Sequence, residues 1–164
     1  SASEVNYDFK ILKAVEFVNA DQKKALLPKI DSHYNSIEGK TIAIWGLAFK
    51  PNTDDIREAP ALEMIDELKK RGANIKVYDP EAMLNVKNLI SEKVEYCDSS
   101  YETIEGADFL IIATEWPEFR TPDFQKIKDK LKESVIFDGR NLFDLALMKK
   151  HGFTYYSIGR STIK

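Results

Sequence analysis

The chain has one cysteine, a small net charge and no long hydrophobic run, and each shortage argues against a class of protein. Cys97 is the single cysteine, so no disulfide can form within the chain and a reducing compartment is expected. No apolar run approaches the roughly 20 residues of a membrane span, and no stretch has the pattern of a secretory signal. The net charge of −3 disfavours a nucleic-acid surface, which is usually basic. We therefore expect a soluble, cytoplasmic protein with no membrane or nucleic-acid partner.

Two common phosphate-binding motifs, G-x-G-x-x-G and G-x-x-x-x-G-K-[ST], are also missing. The chain has instead a long charged loop from Gly46 to Glu58, with the sequence GLAFKPNTDDIRE. It follows an apolar strand-like run and precedes a helix-like run that starts near Pro60. A strand that ends in glycine and leads into a loop with Lys50 and Arg57 can hold an anionic ligand in an α/β protein.

The first part of the chain, from Tyr7 to about Tyr34, contains no glycine and repeats apolar residues mostly at three- or four-residue spacing. This pattern predicts an amphipathic helix about 40 Å long, which Pro28 is expected to kink or interrupt. Such a helix either packs on its own domain or connects and dimerises two copies of the chain. Its length favours the second alternative, because it exceeds the core of one small domain.

From Gly39 onwards, strand-like and helix-like patterns alternate, which predicts an α/β fold. We expect a Rossmann-like, doubly wound parallel sheet with right-handed crossovers, preceded by the long N-terminal helix. The expected division is residues 1–36 for the helix and residues 37–164 for the sheet domain. The predicted strands are Thr41–Trp45, Asn74–Tyr78, Val94–Tyr96, Ala107–Ala113, Val135–Phe137 and Phe153–Ile158. The predicted helices between them are Pro60–Arg71, Glu81–Ile90, Tyr101–Glu105, Pro122–Leu131 and Leu142–Lys150.

Ligands of such sheets bind beyond the carboxyl ends of the strands, where several charged loops of this chain fall. Lys50, Arg57, Arg120 and Arg140 are therefore expected on one rim, where lysine and arginine suit phosphate groups. The alternative is that these cations pair with the neighbouring acidic residues, which are Asp54, Asp55, Glu58, Glu115, Glu118 and Asp138. Both interpretations stay open at this point.

Other residues with chemical potential favour structural roles. Cys97 has no nearby histidine or lysine to activate it, so we expect a structural cysteine at a strand end. His33 and His151 lack metal-ligand spacing, which favours surface roles and no metal site. Asp54 and Asp55 precede a predicted helix and are expected to cap it rather than to bind Mg²⁺. Both tryptophans are expected to pack in the core.

Five ordered motifs closely resemble the C-terminal part of the UDP-glucose 6-dehydrogenase family. They are GLAFKPNTDDIREAP, VYDPEAM, ADFLIIATEWPEFR, VIFDGRNLFD and GFTYYSIGR, and the resemblance runs from about Tyr7 to Arg160. The family oxidises the C6 hydroxyl of a nucleotide sugar to a carboxylate with two NAD⁺. Asn6-Tyr-Asp-Phe and the helix after it resemble the family's central dimerisation helix, which implies a homodimer.

The resemblance also implies which residues bind what. Phe49 and Lys50 would contact the UDP-sugar, Arg140 would reach the substrate, and Arg57 would extend toward NAD bound on another domain. The family's G-x-G-x-x-G and its catalytic cysteine motif are not in this sequence, and Cys97 does not match. We therefore expect a C-terminal UDP-binding fragment with no catalytic residue, inactive alone, and NAD held mainly elsewhere.

The motifs look more like the UDP-glucose branch than the GDP-mannose or UDP-N-acetylmannosamine branches, which remain alternatives. A stand-alone flavodoxin-like binding or regulatory module is the alternative from another class. It is disfavoured because the strand ADFLIIA runs into Thr114-Glu115, with no phosphoryl-accepting aspartate.

Overall fold

The structure of the protein, a computed structural model, describes residues 25–164. Within this range, helices and strands alternate as the sequence predicts, with small shifts at their ends. The strands are β1 (Thr41–Trp45), β2 (Asn74–Tyr78), β3 (Val94–Tyr96), β4 (Phe109–Ile112), β5 (Val135–Asp138) and β6 (Thr154–Tyr156). The helices are α1 (Leu27–His33), α2 (Pro60–Lys70), α3 (Met83–Leu89), α4 (Ser100–Ile104), α5 (Phe124–Lys130) and α6 (Leu145–His151). A short 3₁₀ helix, Pro117–Phe119, was not predicted.

The six strands form one parallel sheet in the order β3-β2-β1-β4-β5-β6. The chain moves outward from β1 to β3, then returns to place β4 on the other side of β1. This reversal creates a switch point between β1 and β4, where doubly wound sheets bind their ligands. The predicted Rossmann-like fold class is confirmed.

The sequence explains why β1 and β4 lie in the middle of the sheet. Ile42 to Trp45 and Phe109 to Ile112 are uninterrupted apolar runs, and every one of these residues is buried. A strand covered by helices on both faces needs such a run, whereas a strand with one wet face alternates. The predicted core positions of Trp45 and Trp116 are confirmed, since both side chains are buried.

Helix α2 connects β1 to β2 and begins and ends where the sequence indicates. Pro60 lies in its first turn, where a missing N–H has no helical partner to lose. Gly72 follows its last turn with a φ of +83°, a left-handed conformation that suits glycine. The buried residues recur at three- or four-residue spacing and face the sheet: Ala61, Met64, Ile65 and Leu68.

The predicted N-terminal helix, Tyr7 to Tyr34, falls mostly outside the described residues. Within them, Ala25 and Leu26 are not helical, and α1 begins at Leu27 with Pro28 in its first turn. Pro28 therefore lies at a helix start, consistent with the expected interruption. Leu26, Leu27 and Ile30 are buried in the core of the sheet domain. The division at residues 36 and 37 and the dimer-forming role stay predictions.

None of the helices between residues 25 and 164 is long and apolar enough to cross a membrane.

Candidate functional site

Four loops lie side by side at the carboxyl edge of the sheet, where the sequence predicts a ligand site. They follow β1, β2, β4 and β5, and they begin at Gly46, Asp79, Ala113 and Gly139. Parallel strands all end at the same edge, so residues far apart in sequence become neighbours here. Two buried carboxylates, those of Asp79 and Asp138, fix the shape of these loops.

Asp79 connects three of the loops through one buried side chain, which is only 1% exposed. Its Oδ2 accepts hydrogen bonds from the backbone N–H groups of Leu47 (2.7 Å) and Ala48 (3.0 Å) and from Trp116 Nε1 (2.9 Å). Its Oδ1 accepts from the N–H groups of Glu81 (2.9 Å) and Ala82 (2.8 Å). A buried charge needs such compensation, and here five donors supply it.

The ends of β1 and β4 are in direct contact through Gly46 and Thr114. Gly46 has a φ of +95°, and a Cβ added to it would lie 2.5 Å from Thr114 Cβ. Thr114 is buried, and its hydroxyl donates to the carbonyl oxygen of Ala48 at 2.7 Å. The loop after β1 can therefore leave the sheet at this point only because residue 46 lacks a side chain.

The loop after β1 carries the predicted ligand residues Phe49, Lys50 and Arg57. The N–H of Phe49 donates to the carbonyl oxygen of Asp55 at 2.8 Å, which closes the loop on itself. Arg57 donates to the Asp55 carboxylate from Nε at 3.0 Å and from Nη2 at 2.8 Å. These hydrogen bonds lower the pKa of Asp55 to about 2. Lys50 is exposed, Phe49 is half-buried, and the Arg57 side chain is 87% exposed.

A cleft of about 420 Å³ opens beyond β4 and β5. We name it the Arg140 cleft, and its lining residues are Glu115, Arg120, Gly139, Arg140, Asn141 and Ile158. Glu115 accepts two hydrogen bonds from Arg140, one from Nε and one from Nη2 at 2.8 Å. Burial alone would raise the pKa of Glu115, but the hydrogen bonds that it accepts and the positive charges of Arg140 and Arg120 together outweigh burial and lower that pKa below its ordinary value. The cleft thus holds two guanidinium groups, of which one already faces a carboxylate.

Asp138, the last residue of β5, forms the floor under Arg140. It accepts hydrogen bonds from the N–H groups of Arg140 (2.8 Å) and Leu142 (2.7 Å) and from the Tyr155 hydroxyl (2.6 Å). Burial raises the pKa of Asp138, and burial together with the neighbouring carboxylate raises the pKa of Tyr155. Asn141, which follows Arg140, has a φ of +54°. Its side chain donates one hydrogen bond to the backbone of Ile158 and accepts another from it. The loop that presents Arg140 is therefore fixed from below and from the side.

The predicted rim of four cations is divided between the Arg140 cleft and the loop after β1. Arg120 and Arg140 line the Arg140 cleft, whereas Lys50 and Arg57 lie on the loop after β1 and are not among its lining residues. The alternative in which cations pair with acidic neighbours describes two of the four, because Arg57 binds Asp55 and Arg140 binds Glu115. The pairing orients both arginines, and Lys50 is exposed on the loop after β1.

The expectation that Asp54 and Asp55 cap the next helix is wrong. The N-cap of α2 is Ala59, which makes no side-chain capping hydrogen bond. Asp55 instead accepts from Arg57, and the carbonyl oxygen of Asp54 accepts from Asn85 Nδ2 at 3.0 Å. Three residues separate Asp55 from the N-cap, and the loop uses this length to fold back on itself.

Cys97 is buried directly after β3, and its N–H donates to the carbonyl oxygen of Val77 at 2.9 Å. Burial raises the pKa of its thiol to about 11, which suits the expected structural cysteine and not a nucleophile. His33 and His151 are half-buried rather than free on the surface. His33 Nδ1 lies 2.8 Å from the Tyr156 hydroxyl, and His151 packs on the Phe124 ring. Between residues 25 and 164, no group of three or more His, Cys, Asp or Glu could hold a metal ion.

Sequence reasoning placed Asp79 and Glu115 in loops at the ligand edge and named Glu115 as a possible partner of the cations, but it assigned neither residue to the site. The signal for Asp79 was its position, since an aspartate that directly follows an apolar strand and precedes a proline lies at the ligand edge. Glu115 follows the strongest strand in the chain, and its position opposite Arg140 was not evident from sequence. Asp79 accepts a hydrogen bond from the N–H of Leu47, and Glu115 accepts one from Arg140. Each partner is 25 or more positions away in sequence, so local sequence patterns do not reveal these pairs.

A six-stranded parallel sheet with a 3-2-1-4-5-6 order and arginines at its switch-point edge defines a Rossmann-like α/β domain that suits an anionic ligand. Residues 43–145 match the UDP-binding domain of the UDP-glucose/GDP-mannose dehydrogenase family. The chain belongs to this family.

Relatives and solved structures agree with this assignment. The chain is 42% identical over 163 residues to the UDP-glucose 6-dehydrogenase TuaD of Bacillus subtilis, with 99% of this chain and 35% of that protein covered. A UDP-glucose dehydrogenase from Pyrobaculum islandicum shares the fold at a TM-score of 0.68 and 27% identity, covering 92% of this chain and 32% of that one.

A second solved structure is an NDP-N-acetyl-D-galactosaminuronic acid dehydrogenase from Methanosarcina mazei. It matches at a TM-score of 0.71 and 25% identity, covering 88% of this chain and 30% of that one. The chain spans about a third of the length of the relatives that it matches.

Proposed function

We propose that the chain is the UDP-binding part of an NAD-dependent UDP-glucose 6-dehydrogenase, which converts UDP-glucose and two NAD⁺ to UDP-glucuronate. The observation that carries the proposal is the Arg140 cleft, which holds two arginines at the edge where this fold class binds ligands. The match to the family's UDP-binding domain and the 42% identity to TuaD support it. The stand-alone flavodoxin-like module is the weaker alternative, because the matched family consists of nucleotide-sugar dehydrogenases.

The diphosphate is the part of the ligand that this surface suits best. A guanidinium group binds two phosphate oxygens at once, and a lysine ammonium acts as a compact point charge. In this proposal Arg140 binds the UDP-sugar from the cleft while Phe49 and Lys50 contact it from the loop after β1. Glu115 holds the Arg140 guanidinium in place until the ligand arrives, which lowers the entropy cost of binding.

Arg57 is assigned to the cofactor side of the site. Its side chain is exposed at the tip of the loop, and Asp55 fixes its direction. NAD, which supplies the hydride acceptor of the reaction, is assigned to a part of the enzyme outside these 164 residues. We expect no dehydrogenase activity from the chain alone, because it contains no G-x-G-x-x-G and its single cysteine is buried.

The identity of the sugar is the finer part of the proposal. UDP-glucose is favoured by the name of the Bacillus relative, and the Methanosarcina structure represents the alternative of an N-acetylated sugar. UDP-N-acetylmannosamine and GDP-mannose dehydrogenases are further alternatives within the family. Titration with UDP-glucose, UDP-N-acetylmannosamine and GDP-mannose ranks them, and the proposal expects UDP-glucose to bind most tightly.

A homodimer and a cytoplasmic location complete the proposal. The dimer would form through the predicted N-terminal helix of residues 1–36, of which residues 1–24 lie outside the described residues. Sedimentation of the chain with and without residues 1–36 tests it, and a monomer in both cases would contradict it. The location rests on the single cysteine, which favours a reducing compartment.

Calorimetric titration with UDP tests the binding site itself. We expect wild type to bind UDP, and Lys50→Ala and Arg140→Ala each to raise Kd by about tenfold or more, because each removes a charged hydrogen bond of about 1.5–3 kcal/mol. Lys150→Ala, which removes an exposed cation at the end of α6, is the matched control and should leave Kd unchanged. Equal Kd values in wild type and both site variants would overturn the assignment.

A further inference from the structure

The turn after β1 presents two backbone N–H groups in the same direction. Leu47 and Ala48 follow Gly46, and both donate to a single oxygen atom, at 2.7 Å and 3.0 Å. In dinucleotide-binding sheets, the turn after β1 is the element whose backbone N–H groups approach the pyrophosphate of the ligand. The turn of this chain therefore has the geometry of an anion site, although it lacks the glycine fingerprint.

The anion that occupies this position belongs to the protein itself. The oxygen atom is Oδ2 of Asp79, which also accepts from Trp116 Nε1 at 2.9 Å. Asp79 is 1% exposed and its other oxygen accepts two further backbone N–H groups, so neither solvent nor a ligand can reach the site while the carboxylate is there. The indole of Trp116 covers the carboxylate from the side of β4.

Asp79 stands at a position that has a different task in dinucleotide-binding sheets. It directly follows β2, the strand after which such folds place the acidic residue that binds the ribose hydroxyls. Here that carboxylate points inward to the turn N–H groups instead of outward to a ribose. The β1 turn and the acidic residue after β2, which would together hold a dinucleotide, are hydrogen-bonded to each other.

We propose that Asp79 is a specificity-determining residue whose carboxylate fills the anion position of the β1 turn, so that phosphate groups of a ligand are excluded there. The domain consequently rejects NAD at the position where its fold class usually binds it. The phosphates of a nucleotide bind instead at the Arg140 cleft, on the β4 and β5 side of the switch point. This last step rests on the proposed function, whereas the exclusion at the β1 turn does not.

An amide-resolved NMR titration of the ¹⁵N-labelled chain tests the exclusion. We expect inorganic pyrophosphate and NAD to leave the Leu47 and Ala48 amide signals unchanged, and UDP to shift the amide signals of Arg140 and Asn141. Shifts at Leu47 and Ala48 that saturate with NAD or pyrophosphate would overturn the inference. If UDP moves no signal at all while Leu47 and Ala48 remain silent, the proposed function fails and the exclusion stands.

Removal of the carboxylate provides the converse test. Asp79→Ala should melt at a lower temperature, and sodium formate should raise its Tm by several degrees beyond sodium chloride of the same ionic strength, because formate can replace the lost carboxylate. The same addition should shift the Leu47 and Ala48 amide signals. Asp79→Asn keeps the side-chain volume at this position. Formate should therefore neither raise its Tm beyond sodium chloride nor shift its Leu47 and Ala48 amide signals. Ile65→Ala is destabilised by a core cavity on α2 and controls for a general effect of formate on a weakened fold.

Formate that stabilises Asp79→Ala no more than Asp79→Asn or Ile65→Ala would contradict an anion position at the turn. If Asp79→Ala does not fold, the wild-type titration with NAD and pyrophosphate decides the question alone.

Discussion

Single buried residues determine how the loops of the candidate site are held. Asp79 and Asp138 both lie at the carboxyl ends of strands, and both accept backbone N–H groups from loops. An unpaired carboxylate in the interior costs several kcal/mol, so each aspartate requires its loop to keep the observed shape. The loops in turn require the aspartates, because these carboxylates are the hydrogen-bond acceptors of the loop N–H groups.

Gly46 is the residue whose replacement should affect the site most directly. We expect Gly46→Ala to lower the free energy of unfolding by about 3 kcal/mol or more, because it adds left-handed strain and a clash with Thr114. Gly106→Ala is the matched control, since Gly106 also has a positive φ, +72°, but open space around the added Cβ. It should cost only about 1 kcal/mol. Urea denaturation of both variants measures the difference, and equal losses would contradict the contact between β1 and β4.

The Glu115–Arg140 pair should contribute stability in a pH-dependent way. The pKa of Glu115 is lower in the folded protein than its ordinary value of 4.5, so its contribution is present above that pH and is lost as the pH falls through the folded pKa. We therefore expect wild type to be more stable than Glu115→Gln near pH 6–7, and the difference to shrink toward about pH 3. Urea denaturation across this range measures it.

Glu92→Gln, at an exposed position between α3 and β3, is the control and should show no comparable change. A wild-type advantage over Glu115→Gln that is constant with pH would mean that the two side chains do not pair in solution.

At the scale of elements, the positions of the strands and helices could be predicted from the sequence, whereas the structure of the loops between them could not. Continuous apolar runs identified β1 and β4, and proline and glycine marked the ends of α2. Loop structure was not predictable in the same way, because the stretch from Gly46 to Glu58 is held by Asp79 and by its own Asp55 rather than by a local turn motif. The capping role expected for Asp54 and Asp55 was wrong for this reason.

Helix α1 packs into the sheet domain, although the sequence assigned it to the N-terminal helix. Sequence periodicity placed it at the end of a long connecting helix, separate from a sheet domain that starts at residue 37. In the structure Leu26, Leu27 and Ile30 are buried in the sheet core, and Leu26 Cδ1 would lie 3.3 Å from a Cβ added to Gly139. The segment before β1 thus packs beneath the loop that presents Arg140.

Removal of α1 should therefore weaken the sheet domain. We expect the polypeptide of residues 37–164 to be less stable than that of residues 25–164 by about 4 kcal/mol or more, because three large apolar side chains lose their burial. Urea denaturation followed by circular dichroism compares the two. Equal stability would support the division at residues 36 and 37 that the sequence alone indicates.

At the scale of the whole molecule, the order of the strands decides where a ligand can bind. The sequence predicted a parallel, doubly wound sheet, but it did not specify that β1 and β4 are neighbours, because strand order is set by long-range packing. Two features at the carboxyl edge of this sheet bear on the proposed phosphate site, namely the β1 turn and the Arg140 cleft. Asp79 occupies the first, and the second remains accessible with its arginines.

The central claim is that the Arg140 cleft binds the diphosphate of UDP while the β1 turn is filled by Asp79. The most direct test is a crystal structure of the chain with UDP bound. We predict diphosphate oxygens within hydrogen-bond distance of the Arg140 guanidinium, with the Asp79 carboxylate still bonded to the N–H groups of Leu47 and Ala48. A diphosphate on those two N–H groups, with Asp79 displaced, would contradict the account.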